Sequence, residues 1–306
     1  MNTPPVLFVI FRRPDTTAKV FEAIRAARPG RLFVAADGPR PGKAGEAELC
    51  RQTRAIVDGV DWPCEVVTRF QETNQGIKKG VRGAITWFFT QVDEGIILED
   101  DCLPHPDFFP YCAALLKKYR DDQRVFHIGG VNFQPRVRTV PGSYYFSRYN
   151  HVWGWATWKR AWDRYRPEFE GLEEFLAEAD STEFWDSPRE RRYWQKTFRR
   201  TRDGQIVTWD YQWKYTLWAE GALGVTPEAN LVVNLGFGAG ATNTSDVQGN
   251  KGERPLEPLG PLVENPWPLR HRKADGFTFL HKYWGTPAVR VRLRMHQLFQ
   301  WVRGSH

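Results

Sequence analysis

Residues 95–109 read GIILEDDCLPHPDFF. An apolar run, Ile96–Leu98, ends in the acidic triplet Glu99, Asp100 and Asp101, and a proline-broken stretch follows. Like charges at the end of a buried strand repel one another, so either they lie in a solvated turn or they hold something positive. The surroundings of this run decide the fold. Upstream, Val6–Phe11 (VLFVIF) and Leu32–Ala36 (LFVAA) are unbroken apolar runs of strand length, as parallel strands covered on both faces are. Between them Val20, Ile24 and Ala27 carry helical spacing, and Pro29-Gly30 ends it. A helical stretch over 46–57, a strand over 64–69 and a helix over 78–92 lead back into Ile96. The alternation predicts an α/β chain: a doubly wound, mixed but mainly parallel sheet flanked by helices.

In such sheets ligands bind beyond the carboxyl ends of the strands. Arg12-Arg13, Asp37 and the 99–101 triplet all fall at such ends, so three polar clusters converge on one candidate site. Carboxylate oxygens on a rigid strand end suit Mg2+ or Mn2+ held partly through substrate phosphates. A divalent ion would also relieve the repulsion within the triplet. The other reading is a solvated turn, with Asp107 meeting the dipole of the helix that follows.

From about residue 125 the pattern changes. Short strands (126–128, 144–147) alternate with Trp-rich helices predicted over 153–165, 190–202 and 209–220. A strand over 230–234 then enters a Gly-rich loop. Residues 1–245 are therefore expected to form one domain with halves 1–124 and 125–245, followed by a proline-rich extended tail over 246–306. The closing Gly304-Ser305-His306 reads as a tag remnant. The 14 Trp and 20 Phe suit either core packing or stacking on the C–H faces of sugar rings.

A formal net charge of +7 favours anionic partners such as nucleoside diphosphates or phospholipid surfaces. No zinc-finger spacing or RNP-type motif is present, so nucleic acid is not expected. Cys50, Cys64, Cys102 and Cys112 form no CxxC pair and read as reduced thiols. With no signal-peptide pattern and no apolar run of membrane-spanning length, the expectation is a cytoplasmic protein. Residues 289–303 (VRVRLRMHQLFQWVR) set an apolar helical stripe among Arg290, Arg292, Arg294 and Arg303. That pattern over 285–303 is compatible with peripheral contact at the inner face of the cell membrane, or with docking on the protein's own surface.

The segment LEDDCLPHPDFFPYCAALLKKY (98–119) resembles the metal-binding segment of GT-A glycosyltransferases. It is closest to the N-acetylglucosaminyltransferase I type, in which a Glu-Asp-Asp version of the DxD motif precedes a Pro-Asp-Phe-Phe helix start. Further stretches match in the same order: PVLFVIFRRP (5–14), VAADGP (34–39), NQGIKKGVRGAITWFF (74–89), and HVWGWATWKRAW (151–162) with TWDYQW (208–213). The resemblance spans roughly 5–245. It implies metal-dependent, inverting transfer of a hexosyl or N-acetylhexosaminyl group from a nucleoside-diphosphate sugar, UDP-sugar favoured. The acceptor would be a hydroxyl of a saccharide or glycoconjugate, as in surface polysaccharide synthesis.

By the same resemblance, Asp101 ligates the Mn2+ or Mg2+, Asp100 contacts the ribose or orients the metal shell, and Glu99 bonds donor-sugar hydroxyls. Asp37 accepts the imide N–H of uracil or thymine, and Arg13 lies near the nucleotide. Lys78 and Lys79 fall where diphosphate or base contacts occur, or form a solvated helix face. Trp153, Gly154 and Trp155 belong to the acceptor side, the tryptophans as stacking platforms or as core. Asp210 is the base that deprotonates the acceptor, although an Asp in this setting also suits a helix N-cap. In the loop GFGAGATNT (236–244), Asn243 stands where a metal-ligating His is often found, which leaves further metal ligands open. The alternatives are a sugar nucleotidyltransferase, for which a Gly-rich basic signature after the first strand is lacking, and a non-catalytic carbohydrate-binding protein.

Overall fold

A strand covered on both faces can be apolar at successive positions, and Val6–Ile10 (β1) is. The computed structural model describes residues 3–134, 142–236 and 254–285. In it β1 is followed by Pro14–Ala27 (α1), Arg31–Ala36 (β2), Glu46–Ala55 (α2), Glu65–Phe70 (β3), Gly76–Phe88 (α3) and Glu94–Glu99 (β4). These four strands are parallel, in the order β3-β2-β1-β4, and Val9 is paired with both Ala35 and Glu99. Side chains alternate across the sheet. Phe8 and Leu98 pack with Val20 and Ile24 of α1, whereas Leu7, Phe33 and Ile97 pack with Ile85 and Phe88 of α3.

The later elements extend the same sheet. Cys102–Pro104 (β5) and Phe108–Lys118 (α4) precede Val125–Gly129 (β6), Tyr144–Ser147 (β7) and Trp155–Trp158 (β8). Lys159–Trp162 (α5), Leu172–Ser181 (α6), Pro188–Arg202 (α7) and Asp210–Ala219 (α8) come next, then Leu223–Pro227 (β9) and Val232–Asn234 (β10). The full order is β3-β2-β1-β4-β8-β6-β9-β7, an eight-stranded, mainly parallel, Rossmann-like sheet flanked by helices. β10 pairs antiparallel with β5, Asn234 opposite Cys102.

The helix predicted over 153–165 is a correction. Trp155–Trp158 forms β8, antiparallel to both β4 and β6, and only Lys159–Trp162 is helical. All four residues of β8 are buried, an environment that favours aromatic and β-branched side chains in extended backbone. The aromatic excess is largely core: Trp155, Trp162, Trp194, Trp209, Trp213 and Trp218 fill the face of the sheet shared with α3.

The proline-rich segment wraps the sheet as extended chain. Glu257 N–H bonds Asn230 O at 2.9 Å, Val263 O accepts Ser143 N–H at 2.8 Å, and His271 N–H bonds Phe146 O at 2.8 Å. It ends in Arg272–Thr278 (α9) and a π-helical turn, Phe279–Trp284. Among the described residues no helix is long and apolar enough to cross a membrane.

Candidate functional site

The carboxyl ends of the parallel strands open onto a cavity of about 580 Å³. Phe11 and Arg13 follow β1, Asp37 follows β2, Arg69 and Gln71 mark the end of β3, and Glu99, Asp100 and Asp101 end β4; all of them line it. Gln75, Gly76 and Lys79 of the α3 region form one wall, and Trp153, Thr208, Trp209 and Asp210 close the cavity from the later half.

Within the triplet each carboxyl has its own surroundings. Asp100 is 6% exposed; it accepts the Phe11 N–H at 3.0 Å and is paired with Arg13 Nη1 at 3.3 Å. The same Arg13 nitrogen contacts Asp101. A guanidinium from the neighbouring strand end thus lies between two of the three charges. Burial pulls the Arg13 pKa down, but the charges and hydrogen bonds of the two aspartates win, and the net shift is upward. Burial, then the Asp101 charge, pushes Asp100 up to about 7 against the pull of Arg13. Glu99 lines the cavity, and its carboxyl has no hydrogen-bond partner among the described residues. Burial first, then Asp101, Asp100 and Asp210, hold its pKa well above the usual carboxylate range.

Asp101 is gripped by the strand end opposite. Its carbonyl accepts Leu235 N–H at 2.7 Å, and Oδ1 accepts Asn234 Nδ2 at 3.3 Å. A Cβ on Gly236 would come within 2.3 Å of Asp101 Oδ2, so only glycine permits this approach. The β5–β10 pairing, invisible to local pattern, brings Asn234 here. Among the described residues no group of three His, Cys, Asp or Glu side chains is arranged to hold a metal ion. The chemistry of the donor set still suits a small divalent cation: hard oxygens, with the Asp101 charge helping to raise the proton affinity of Glu99 and Asp100 and Arg13 opposing it.

Several expected residues are placed otherwise. Asp37 lines the cavity, but its carboxylate is saturated. Oδ1 accepts Gly38 N–H (2.9 Å) and Gln75 N–H (2.8 Å), and Oδ2 accepts Asn74 Nδ2 (2.9 Å) and Gly76 N–H (3.1 Å). Two donors on each oxygen leave no acceptor site for a base imide, so Asp37 organises the start of α3 instead. Lys79 lines the cavity, but Lys78, about 100° further round the helix, lies outside the lining and pairs with Glu168 at 3.4 Å. Trp155 is 0% exposed and stacked between His127 and Trp209, a core residue without a free face. Gly154 is a packing position: it holds φ +59°, and a Cβ there would meet Val232 Cγ2 at 2.7 Å. Trp153 does line the cavity.

Asp210 is the first residue of α8, preceded by Trp209 at the cap position, and no side-chain cap bond forms. Its carboxyl faces the cavity and its Oδ1 accepts the hydroxyl proton of Thr208. Residues 212–218 are buried all round, so the helix that carries Asp210 is held on every face. Asn234, Thr208 and Arg69 were not foreseen; of these, Thr208 shares the quoted TWDYQW stretch, whereas Asn234 reaches the site only through strand pairing. Asn243, and the tail residues 286–303, lie outside the described residues.

No family model matches the chain, and no curated protein does. Among solved structures, HddC from Yersinia pseudotuberculosis is 8% identical over 51% of this chain and 77% of its own, with a TM-score of 0.32. The same protein complexed with GMP-PN gives the same values. Mouse xyloside xylosyltransferase 1 is 9% identical over 70% of this chain and 80% of its own, with a TM-score of 0.35. Likenesses this distant carry nothing about the chemistry of this chain.

Proposed function

We propose that this chain is a glycosyltransferase that moves a sugar from a nucleoside-diphosphate sugar, a UDP-sugar being favoured, to a hydroxyl of a saccharide or glycoconjugate acceptor. The observation that carries the reading is the meeting of two sets of residues in one cavity: Arg13, Glu99 and Asp101 at parallel strand ends, and Trp153 and Asp210 from the later half. On this reading residues 1–245 form the transferase domain, with 1–124 as the donor half and 125–245 as the acceptor half.

Arg13 and Lys79 would bind the diphosphate, and Glu99, whose carboxyl has no hydrogen-bond partner among the described residues, would bond donor-sugar hydroxyls. Asp100 would act mainly by fixing the Phe11 backbone and Arg13. Asp101 would hold a Mn2+ or Mg2+ ion, which offsets the charge that grows on the leaving diphosphate. Trp153 would bear the acceptor ring. Asp210, with Oδ1 held by Thr208, would use Oδ2 to take the proton of the acceptor hydroxyl. The acceptor oxygen then bonds to the anomeric carbon as the bond to the diphosphate breaks on the opposite face, which inverts the centre.

An Asp210→Asn variant should keep its fold and its nucleotide-sugar affinity and lose ~10²–10⁴-fold in transfer rate. Near-wild-type transfer would sink the assignment. A thermal-shift panel of UDP-, GDP- and dTDP-sugars, each with Mn2+ and with EDTA, tests the class itself: stabilisation by at least one donor, larger with Mn2+, is expected. No shift with any donor would overturn the reading.

A further inference from the structure

Against Trp153, which lines the cavity, lies a cation that forms no ion pair among the described residues. Lys282 belongs to the π-helical turn Phe279–Trp284, a backbone form found mostly as a short insertion and often at functional sites. Its Nζ stands 3.4 Å from the ring centroid of Phe133 and 4.4 Å from that of Trp153. Among the described residues it has neither an ion-pair partner nor a hydrogen-bond acceptor. The contrast with Lys214 is informative. That buried ammonium donates to both oxygens of Asn150, at 3.0 and 2.9 Å, and its N–H groups are used inside the protein.

The place is built, not incidental. Gln134 Nε2 donates to Ala274 O at 2.9 Å and to Thr278 Oγ1 at 2.8 Å, which ties the segment bearing Phe133 to α9. Beyond Lys282, Tyr283 stacks on Tyr149 with centroids 5.4 Å apart. Two aromatic faces attract an ammonium but cannot accept its N–H bonds in the way an oxygen can. Burial presses the Lys282 pKa down to about 7 and the Lys214 charge works in the same direction, while Asp210 pushes it up. Lys282 therefore lies within electrostatic reach of Asp210, which lines the cavity with Trp153, and an ammonium that has only aromatic faces as near neighbours calls for an anionic partner.

We propose that Lys282, seated over Trp153 and Phe133, is an acceptor-recognition residue, and that the acceptor saccharide carries an anionic group, a carboxylate or a phosphate, close to the hydroxyl that reacts. This rests on the transferase reading of the cavity, with the acceptor ring on Trp153 and its hydroxyl at Asp210. An anionic acceptor also agrees with the net charge of +7.

The test is a set of binding titrations of the full chain with glucuronate, glucose 1-phosphate and glucose. The wild type should prefer at least one charged sugar over glucose by about tenfold or more, as a charge-assisted hydrogen bond provides. Which one is preferred distinguishes carboxylate from phosphate. Lys282→Met should reduce the charged sugars to the level of glucose, and Lys282→Arg should retain most of the difference. In the wild type the preferred anion, and not glucose, should protect Lys282 from acetylation by acetic anhydride, read by mass spectrometry. Equal affinity for charged and neutral sugars in the wild type, or a preference that survives in Lys282→Met, overturns the proposal. Nucleoside-diphosphate binding, measured alongside, should be the same in wild type and Lys282→Met. A selective loss of it in the variant would place Lys282 on the donor side and overturn the acceptor role. A wild type that binds no nucleotide sugar would sink the transferase reading instead.

Discussion

His127 is 1% exposed, in the middle of β6, and its two nitrogens face partners of opposite kind. Trp213 Nε1–H can only donate, and it points at Nδ1 from 3.3 Å; the ring proton therefore sits on Nε2, which faces His151 O at 3.1 Å. Burial holds the neutral ring and pushes its pKa down to about 3, the His151 carbonyl opposing and Lys214 assisting. A base whose folded pKa lies below its unfolded value of about 6.5 contributes stability that is present above that value and lost as pH falls toward 3. The wild type should thus lose up to ~1.4 kcal/mol per pH unit more than His127→Gln between pH 6 and 4, in urea unfolding at several pH values. Glutamine can make both bonds without titrating; parallel pH profiles would refute the account. At this scale the sequence marked which groups stand at strand ends, as with Arg13, Glu99 and Asp101. It did not mark their partners. Arg13 between Asp100 and Asp101, and Asn234 on Asp101, depend on contacts between residues 87 to 133 positions apart, which no local spacing encodes.

The first elements were legible because each repeats one period against one kind of neighbour. Apolar runs became β1, β2 and β4, and the spacing of Val20 and Ile24 became the buried stripe of α1. Trp155–Trp158 was not legible, since a run buried on all sides has no period to separate strand from helix, and its neighbours decided the matter. The start of α3 shows the same limit. Gln75, at its cap position, forms no side-chain cap bond, and the work is done by Asp37 from the end of β2. Asp37→Asn substitutes two donors for an acceptor oxygen and sets them against N–H groups that already need acceptors. The loss expected is about 1–3 kcal/mol in folding stability, by urea unfolding without any nucleotide. A variant as stable as the wild type, weakened only in nucleotide binding, would restore the direct base contact that the geometry argues against.

At the scale of the whole molecule, the later half is not a separate body: β8 lies between β4 and β6, so one sheet crosses from residue 6 to residue 227. The segment 254–285 then clamps the far edge. Arg270 bridges to Phe146 of β7, and its Nε meets Asp275 Oδ2 at 2.6 Å. Asp275 is 0% exposed and also accepts the Ser147 hydroxyl and, at 3.4 Å, the Arg148 N–H. Burial pushes its pKa upward even with Arg270 beside it. Removing one partner of a buried pair leaves an uncompensated charge, so Arg270→Met should cost about 3–5 kcal/mol, whereas Arg270→Met with Asp275→Leu should recover most of that loss. The sign of the pH dependence follows from the same carboxyl. Without Arg270 its folded pKa rises further, and the stability that this raised pKa contributes is present below about 4 and lost as pH rises. The defect of Arg270→Met should therefore be smaller at pH 5 than at pH 7.5. Urea midpoints of the wild type, the single variant and the double variant at both pH values measure this. An unchanged midpoint for Arg270→Met at pH 7.5 would mean that the C-terminal segment lies on the sheet without fastening it.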